Sequence, residues 1–246
     1  MSGAKYRVTA RGRLAWETKD PAVPSDYRMI LWLVDFHGDG QLETWMSNFP
    51  QQRIEDCVDE LQELGFLERV DAAPARPVTP QPRIVAVHPG ELENAYATVE
   101  QHGAYVSAER LKTCAAKRAS ETTVLIVEDD PDQRALADLR VSMAGYAVRV
   151  AESQAALLRS LAKDGAPDLL LLDVMLPDGD GFDILARLRR LPSFSSLPIV
   201  MLTVRKERAD IERGLMLGAD GYVTKPYSKR ILAALIARIL GAGIQG

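Results

Sequence analysis

The sequence predicts an α/β chain whose second half is a doubly wound parallel sheet, preceded by a small, mainly helical module. Three observations carry this. From Thr122 onward, short apolar runs alternate with amphipathic segments five times over, the pattern of a repeated βα unit. The run LLLLD (169–173) has no helical period and is bounded by Pro167 and the turn at Pro177, which marks a strand buried on both faces. The stretch DAAPARPVTPQPR (71–83) carries four prolines, which neither a helix nor an inner strand tolerates, so it divides the chain.

In order along the chain, this gives a first module at 1–73, a proline-rich linker with a linker helix at 74–121, and the α/β domain at 122–246. KYRVTARGR (5–13) alternates like a strand, with Lys5, Arg7 and Arg13 on one face and Arg11 sharing it, and reads as a solubilising edge. Three short helices follow, with starts near Ser25, Gln41 and Gln51, and the module closes on a helix, Gly65 and a short strand. In the linker, Leu92, Tyr96 and Val99 share a helical face that His102-Gly103 interrupts. A second helix is expected from Ser107, with Val106 extending the apolar seam. That seam is too short for a coiled coil, so packing against one of the two domains is expected. The five strands fall at 123–127, 147–151, 169–173, 199–203 and 221–224. The helices fall at 132–143, 153–163, 181–190, 207–217 and 228–240.

Composition narrows the function classes. Of 246 residues, 47% are apolar, enough for real cores, and the formal charge of −4 gives no general attraction to nucleic acid or an anionic membrane. Cys57 and Cys114 lie in different segments, as suits a reducing compartment better than a disulfide framework. No run approaches the ~20 apolar residues of a membrane-spanning helix. A cytoplasmic protein with no membrane partner is expected.

In an open α/β sheet the carboxyl ends of the strands converge on one edge, where ligands bind. Glu128, Asp129 and Asp130 follow the first strand, Asp173 ends the third, Thr203 ends the fourth and Lys225 follows the fifth. Clustered carboxylates repel one another, and a hard divalent cation such as Mg²⁺ relieves that repulsion while keeping waters exchangeable for a phosphate oxygen. A carboxylate beside such a cation can attack phosphorus and form an acyl phosphate. Asp173 is the candidate nucleophile and Lys225 the cation, while Thr203 offers a hydroxyl to the new phosphoryl oxygens. Singly, each residue has an ordinary reading as a cap, a strand residue or a solvated cation. Jointly, correctly typed residues on successive strand ends favour the site. The three histidines, His37, His88 and His102, lie outside this domain.

VLIVEDDPDQ, LLLLDVMLPDGDGF, IVMLTV and GADGYVTKPY, in this order and spacing, resemble the receiver domain of two-component response regulators, a flavodoxin-like fold, over residues 122–246. The resemblance implies that Asp173 is phosphorylated and that Glu128 and Asp129 bind Mg²⁺ together with Asp173 and the backbone carbonyl of Met175. It further implies that Lys225 and Thr203 contact the phosphoryl group and that Tyr222 is an aromatic switch turning inward on phosphorylation. Asp130 becomes a neighbour, not a ligand. The altered surface would comprise the 207–217 helix, the last strand and the 228–240 helix. A cis Lys225-Pro226 peptide is expected on the same ground. The implied partner is a sensor histidine kinase or phosphotransfer protein, and the implied role is that of a phosphoacceptor, not an enzyme.

The first module resembles winged-helix proteins over about fifty residues. In the response regulator family the receiver usually comes first, whereas here the order is reversed. The helix that would enter a DNA groove, QQRIEDCVDELQELG, sets one arginine against five carboxylates, and phosphate contacts supply much of the affinity for DNA. Residues 1–73 hold eight Lys or Arg against thirteen Asp or Glu. A protein target, the chain's own receiver or a second protomer in a homodimer is therefore the expected partner of this module. A DNA-binding regulator and a phosphate relay without its own output are the alternatives.

Overall fold

A computed structural model of the chain describes residues 5–18, 23–37, 51–70, 87–108, 110, 118–204 and 207–241. It forms two compact units, Met1–Gln81 with Leu158–Gly165, and Pro82–Leu157 with Ala166–Gly246. No helix among the described residues is long and apolar enough to cross a membrane.

In the first unit, β1 (Lys5–Val8) pairs antiparallel with β2 (Leu67–Val70), in the register Tyr6↔Arg69 and Val8↔Leu67. Tyr6 and Val8 are buried while Lys5 and Arg7 are exposed, as alternation requires. The strand nevertheless stops at Val8. Thr9 caps α1 (Ala10–Glu17), its hydroxyl accepting from the Gly12 N–H at 3.1 Å. Gly12 sits inside this helix because a Cβ there would stand 2.2 Å from the Phe66 carbonyl oxygen. Arg11 and Arg13 are thus helical and do not share a strand face with Lys5 and Arg7, which corrects the expected basic strand over 5–13. Arg13 pairs with Asp35 at 2.5 Å, Arg7 lies 3.7 Å from Glu68, and Arg11 donates to the Leu64 carbonyl at 3.1 Å.

Helices begin at Ser25 and Gln51 as expected: α2 (Ser25–His37) and α3 (Gln51–Glu63). α2 buries Ile30, Leu31, Trp32 and Val34, and α3 buries Cys57, Val58 and Leu61 while Asp56, Asp59, Glu60 and Glu63 stay exposed. Gly65, at φ 70°, turns the chain into β2. The helix start expected near Gln41 and the proline-rich stretch lie outside the described residues.

The second unit holds the five expected strands: β4 (Thr123–Val127), β5 (Ala147–Ala151), β6 (Leu169–Asp173), β9 (Ile199–Thr203) and β10 (Gly221–Thr224). Between β6 and β9 lies a small hairpin of β7 (Met175–Leu176) and β8 (Gly179–Asp180). The helices are α5 (Pro131–Ser142), α7 (Gly181–Arg190), α8 (Arg208–Met216) and α9 (Lys229–Ile239), together with α6 (Gln154–Asp164), which belongs to the first unit from Leu158 onward. All five residues of β6 and of β9 are buried, which explains their unbroken apolar runs. Alternate side chains, Val124, Ile126, Leu169, Leu171, Val200, Leu202 and Val223, join Ala137 and Val141 of α5 with Leu232, Leu235, Ile236 and Ile239 of α9 in one core.

Among the described residues the sheet has six strands, in the order β3-β10-β9-β6-β4-β5. The sixth, β3 (Ala104–Val106), comes from the segment expected to be linker and pairs antiparallel with β10. It follows α4 (Pro89–His102), which His88 caps by accepting from the Gly90 N–H at 3.2 Å and which ends at Gly103 with φ 73°. The helical break at His102-Gly103 is where the sequence places it. Val106, expected on the helical seam, is instead a strand residue. Where a second helix was expected, the Ser107 N–H donates to the Asp220 carbonyl at 3.0 Å; residues 111–117 lie outside the described residues.

Candidate functional site

The parallel register brings the strand ends together. Asp173 is opposite Leu202, and Thr203 opposite Thr224, so the first residues beyond β4 and β10 flank the carboxylate of Asp173. The Lys225 ammonium donates to Asp173 Oδ2 at 2.6 Å and to Glu128 Oε2 at 2.5 Å. The other oxygen of Asp173 accepts from the Met175 backbone N–H at 3.1 Å. Glu128 and Asp173 are buried and Asp129 is exposed, and one carboxylate oxygen from each of the three lies within 4.8 Å of the others.

Electrostatics explain this pairing. Burial pushes the Glu128 carboxyl above its ordinary pKa against the opposing pull of Lys225, and the neighbouring Asp173 charge adds to the rise. Burial works against the Lys225 ammonium too, but its hydrogen bonds to Asp173 and Glu128, and their charges, outweigh it and hold the pKa above the ordinary lysine value. Three carboxylates against one ammonium leave the cluster short of positive charge.

The residues fit a small, hard cation. Three carboxylate oxygens gathered within 4.8 Å of one another would offer Mg²⁺ part of the oxygen shell it prefers, with water left to complete it. Glu128, Asp129 and Asp173 all offer the oxygen donors such an ion prefers.

The other expected residues fall around this centre. Thr203 is buried at the tip of β9, its carbonyl accepting from the Lys225 N–H at 2.8 Å. Asp130 caps α5 by accepting from the N–H groups of Asp132 and Gln133 at 3.0 and 2.8 Å, so it belongs to the helix. The Lys225-Pro226 peptide is cis. Tyr222 lies back from the edge and is wholly buried; a Cβ on Gly214 of α8 would stand 3.4 Å from its ring. The expectation that it turns inward on phosphorylation assumes an outward resting ring. Here the ring is already inside, on a strand flanked by β3 and β9.

Two supporting residues escaped sequence reasoning. Arg134 donates to the carbonyls of Glu128 and Asp129 at 2.8 and 3.0 Å and so fixes the acidic loop. Its place one helical turn after the cluster was the available signal. Gly181 opens α7 directly against the Asp173 backbone, where a Cβ would come 2.2 Å from the Asp173 carbonyl oxygen.

Residues 124–237 match the family model described as the response regulator receiver domain. Over 122 residues the chain is 40% identical to the transcriptional regulatory protein GltR of Pseudomonas aeruginosa, covering 50% of each chain. Over 118 residues it is 39% identical to the phosphate regulon transcriptional regulatory protein PhoB of the same organism, covering 48% of this chain and 51% of PhoB. The chain therefore spans about half the length of the curated relatives it matches. Among solved structures, the signal receiver domain of a signal transduction histidine kinase from Syntrophus aciditrophicus is 30% identical. That likeness covers 51% of this chain and 94% of the other, with a TM-score of 0.46.

Proposed function

We propose that this chain, whose residues 124–237 are a response regulator receiver domain, accepts a phosphoryl group on Asp173 from a phosphohistidine and passes the change to its first module. One observation carries the reading: at the tip of a buried strand, the Asp173 carboxylate shares a lysine with one acidic neighbour and stands within metal-sharing distance of two. In the reaction an Asp173 oxygen attacks phosphorus, the phosphorus–nitrogen bond breaks, and the released imidazole nitrogen takes up a proton. Glu128, Asp129, Asp173 and the Met175 carbonyl would hold Mg²⁺, which would supply positive charge against the phosphoryl oxygens. Lys225 adds the ammonium on the other side, and Thr203 donates its hydroxyl to a phosphoryl oxygen. Tyr222 senses the resulting shift through β10. The protein works in the cytoplasm as a signalling protein and not as an enzyme.

The test is phosphotransfer from a phosphorylated histidine kinase in Mg²⁺, with Asp173→Asn alongside. Wild type gains the label and the variant does not; label on the variant at the wild-type rate would falsify the assignment.

For output, we favour a protein contact of the first module over DNA. Its α3 exposes Asp56, Asp59, Glu60 and Glu63, and its arginines 7 and 13 are engaged by acidic partners. The names of GltR and PhoB support the second reading, a transcriptional regulator binding DNA.

A further inference from the structure

The face made by α8 and β10, through which a change at Asp173 would be read, is occupied by another part of the same chain. β3 extends the sheet beyond β10, in the register Gly221↔Val106, Tyr222↔Tyr105 and Val223↔Ala104. α4 packs on α8, where Arg208 reaches Glu93 at 2.6 Å and lies 5.7 Å from the centre of the Tyr96 ring. Ala95, Val99, Tyr105 and Val106 are buried. Glu91 closes the pair on itself, accepting from the hydroxyls of Tyr105 and Ser107. Arg110 adds a further tie, 3.3 Å from Asp220 at the entrance to β10.

We infer that α4 and β3 are a built-in reader of the phosphorylation state, docked on the α8–β10 face and coupled to Asp173 through Lys225, Thr224 and Gly103. The coupling half rests on Asp173 being the phosphoacceptor; the docking half does not.

The route is short. Lys225 touches Asp173 with its ammonium, and Thr224, its neighbour in the chain, donates both its N–H and its hydroxyl to the Gly103 carbonyl, at 2.8 and 3.2 Å. Gly103 is the residue that ends α4. A phosphoryl group brings added negative charge and re-aims the Lys225 ammonium, which now bridges two carboxylates. Thr224 then moves with the adjoining peptide, and the end of α4 moves with Thr224. An edge strand with free N–H and C=O groups would invite another chain, and β3 covers that edge on β10. The edge of β10 is thereby closed to a second copy while β3 stays paired.

The experiment is hydrogen exchange on the full chain, read by mass spectrometry before and after acetyl phosphate with Mg²⁺, with intact mass measured on the same samples. In the untreated protein, the Tyr105 and Ser107 amides, which the antiparallel register points at β10, exchange as slowly as those of β10; fast exchange at both overturns the docking. Glu91→Ala with Glu93→Arg speeds exchange across 89–106 by about tenfold and leaves β4 and β6 unchanged, whereas wild-type protection in that variant overturns the assigned contacts. After treatment, protein that carries one phosphoryl group shows altered exchange at 89–106 together with 221–225. A labelled protein with unaltered exchange at 89–106 overturns the coupling alone. Absence of the added mass overturns the phosphoacceptor reading and the coupling with it, and the first two results still decide the docking.

Discussion

The Lys225 ammonium and the Asp173 carboxylate are in contact at 2.6 Å, and the same ammonium holds Glu128 at 2.5 Å. The side chains of Glu128 and Asp173 are only 1% and 8% exposed, so little water replaces the lysine if it is lost. Breaking a buried pair by removing one partner costs about 3–5 kcal/mol, because the remaining charge is left uncompensated. Lys225→Ala is expected to lose stability on this scale in metal-free buffer and to regain part of it in Mg²⁺, which supplies the missing charge. Urea unfolding with and without Mg²⁺ reads this directly. A variant as stable as wild type without the ion would show that the ammonium is not what holds the carboxylates together.

The two acidic residues after β4 are expected to behave differently when removed. Repulsion among clustered carboxylates, taken alone, would make either deletion a relief. The structure separates them, because Glu128 is buried and engaged by Lys225, whereas Asp129 is exposed. Asp129→Ala should leave metal-free stability within about 0.5 kcal/mol of wild type and reduce the Mg²⁺-induced rise in Tm. Glu128→Ala should lower stability even without metal. Equal metal-free stability for both variants would contradict the distinction.

How much of this was legible depended on distance in sequence. The five parallel strands could be read because each is an apolar run buried by its neighbours, and the gathering of Glu128, Asp129, Asp173, Thr203 and Lys225 because each stands at or just beyond the end of such a run. β3 could not, since three residues between a helix and a serine give no period to recognise. α1 was hidden because the basic alternation of Lys5 and Arg7 continues in sequence through Arg11 and Arg13, while the competing signal, Thr9 as a helix cap, is weakened by Gly12 inside the helix. Asp220 was invisible for another reason: its partners Arg189 and Arg110 lie 31 and 110 residues away.

Asp220 is therefore a test of long-range construction. One of its oxygens accepts from Arg189 at 2.7 Å and from the Ile199 N–H at 2.8 Å, tying α7 and β9 to the start of β10. Arg189 in turn donates to the Gly218 and Leu197 carbonyls at 2.8 and 2.7 Å. Asp220→Ala leaves the buried guanidinium without its counter-charge and is expected to cost about 3–5 kcal/mol in urea unfolding. A loss below about 1 kcal/mol would mean that the backbone carbonyls alone suffice for Arg189.

In the first unit, the hydrogen bond from the Tyr27 hydroxyl to Glu60, with burial and nearby negative charge adding to it, pushes the phenol pKa from 10.0 up to about 12. A group whose neutral, protonated form is favoured on folding contributes stability below the unfolded pKa and loses it as pH rises through the folded one. The Tyr27 contribution should thus be intact below pH 10 and fade toward pH 12. Ultraviolet titration of wild type against Tyr27→Phe isolates this phenol, and Glu60→Ala should bring its ionisation back toward 10.0. An unchanged titration in Glu60→Ala would remove Glu60 as the cause.

If the first unit is the output module, as proposed, the exposed face of α3 decides between its two candidate partners. Asp59 and Glu63 are one helical turn apart and both exposed, while Cys57, Val58 and Leu61 of the same helix face the core. Charge reversal at the two positions removes no buried contact, so Asp59→Lys with Glu63→Lys should hold stability within about 0.5 kcal/mol per site. If this face binds protein, the variant loses the partner that wild type retains from a cell extract under crosslinking. If the face approaches DNA, reversal removes repulsion from the phosphates, and affinity rises with a steeper dependence on salt. Wild type itself should show no sequence-specific DNA binding at physiological salt. A site bound by the wild-type chain at about 10⁻⁸ M or tighter would make it a DNA-binding regulator and overturn the protein-contact reading.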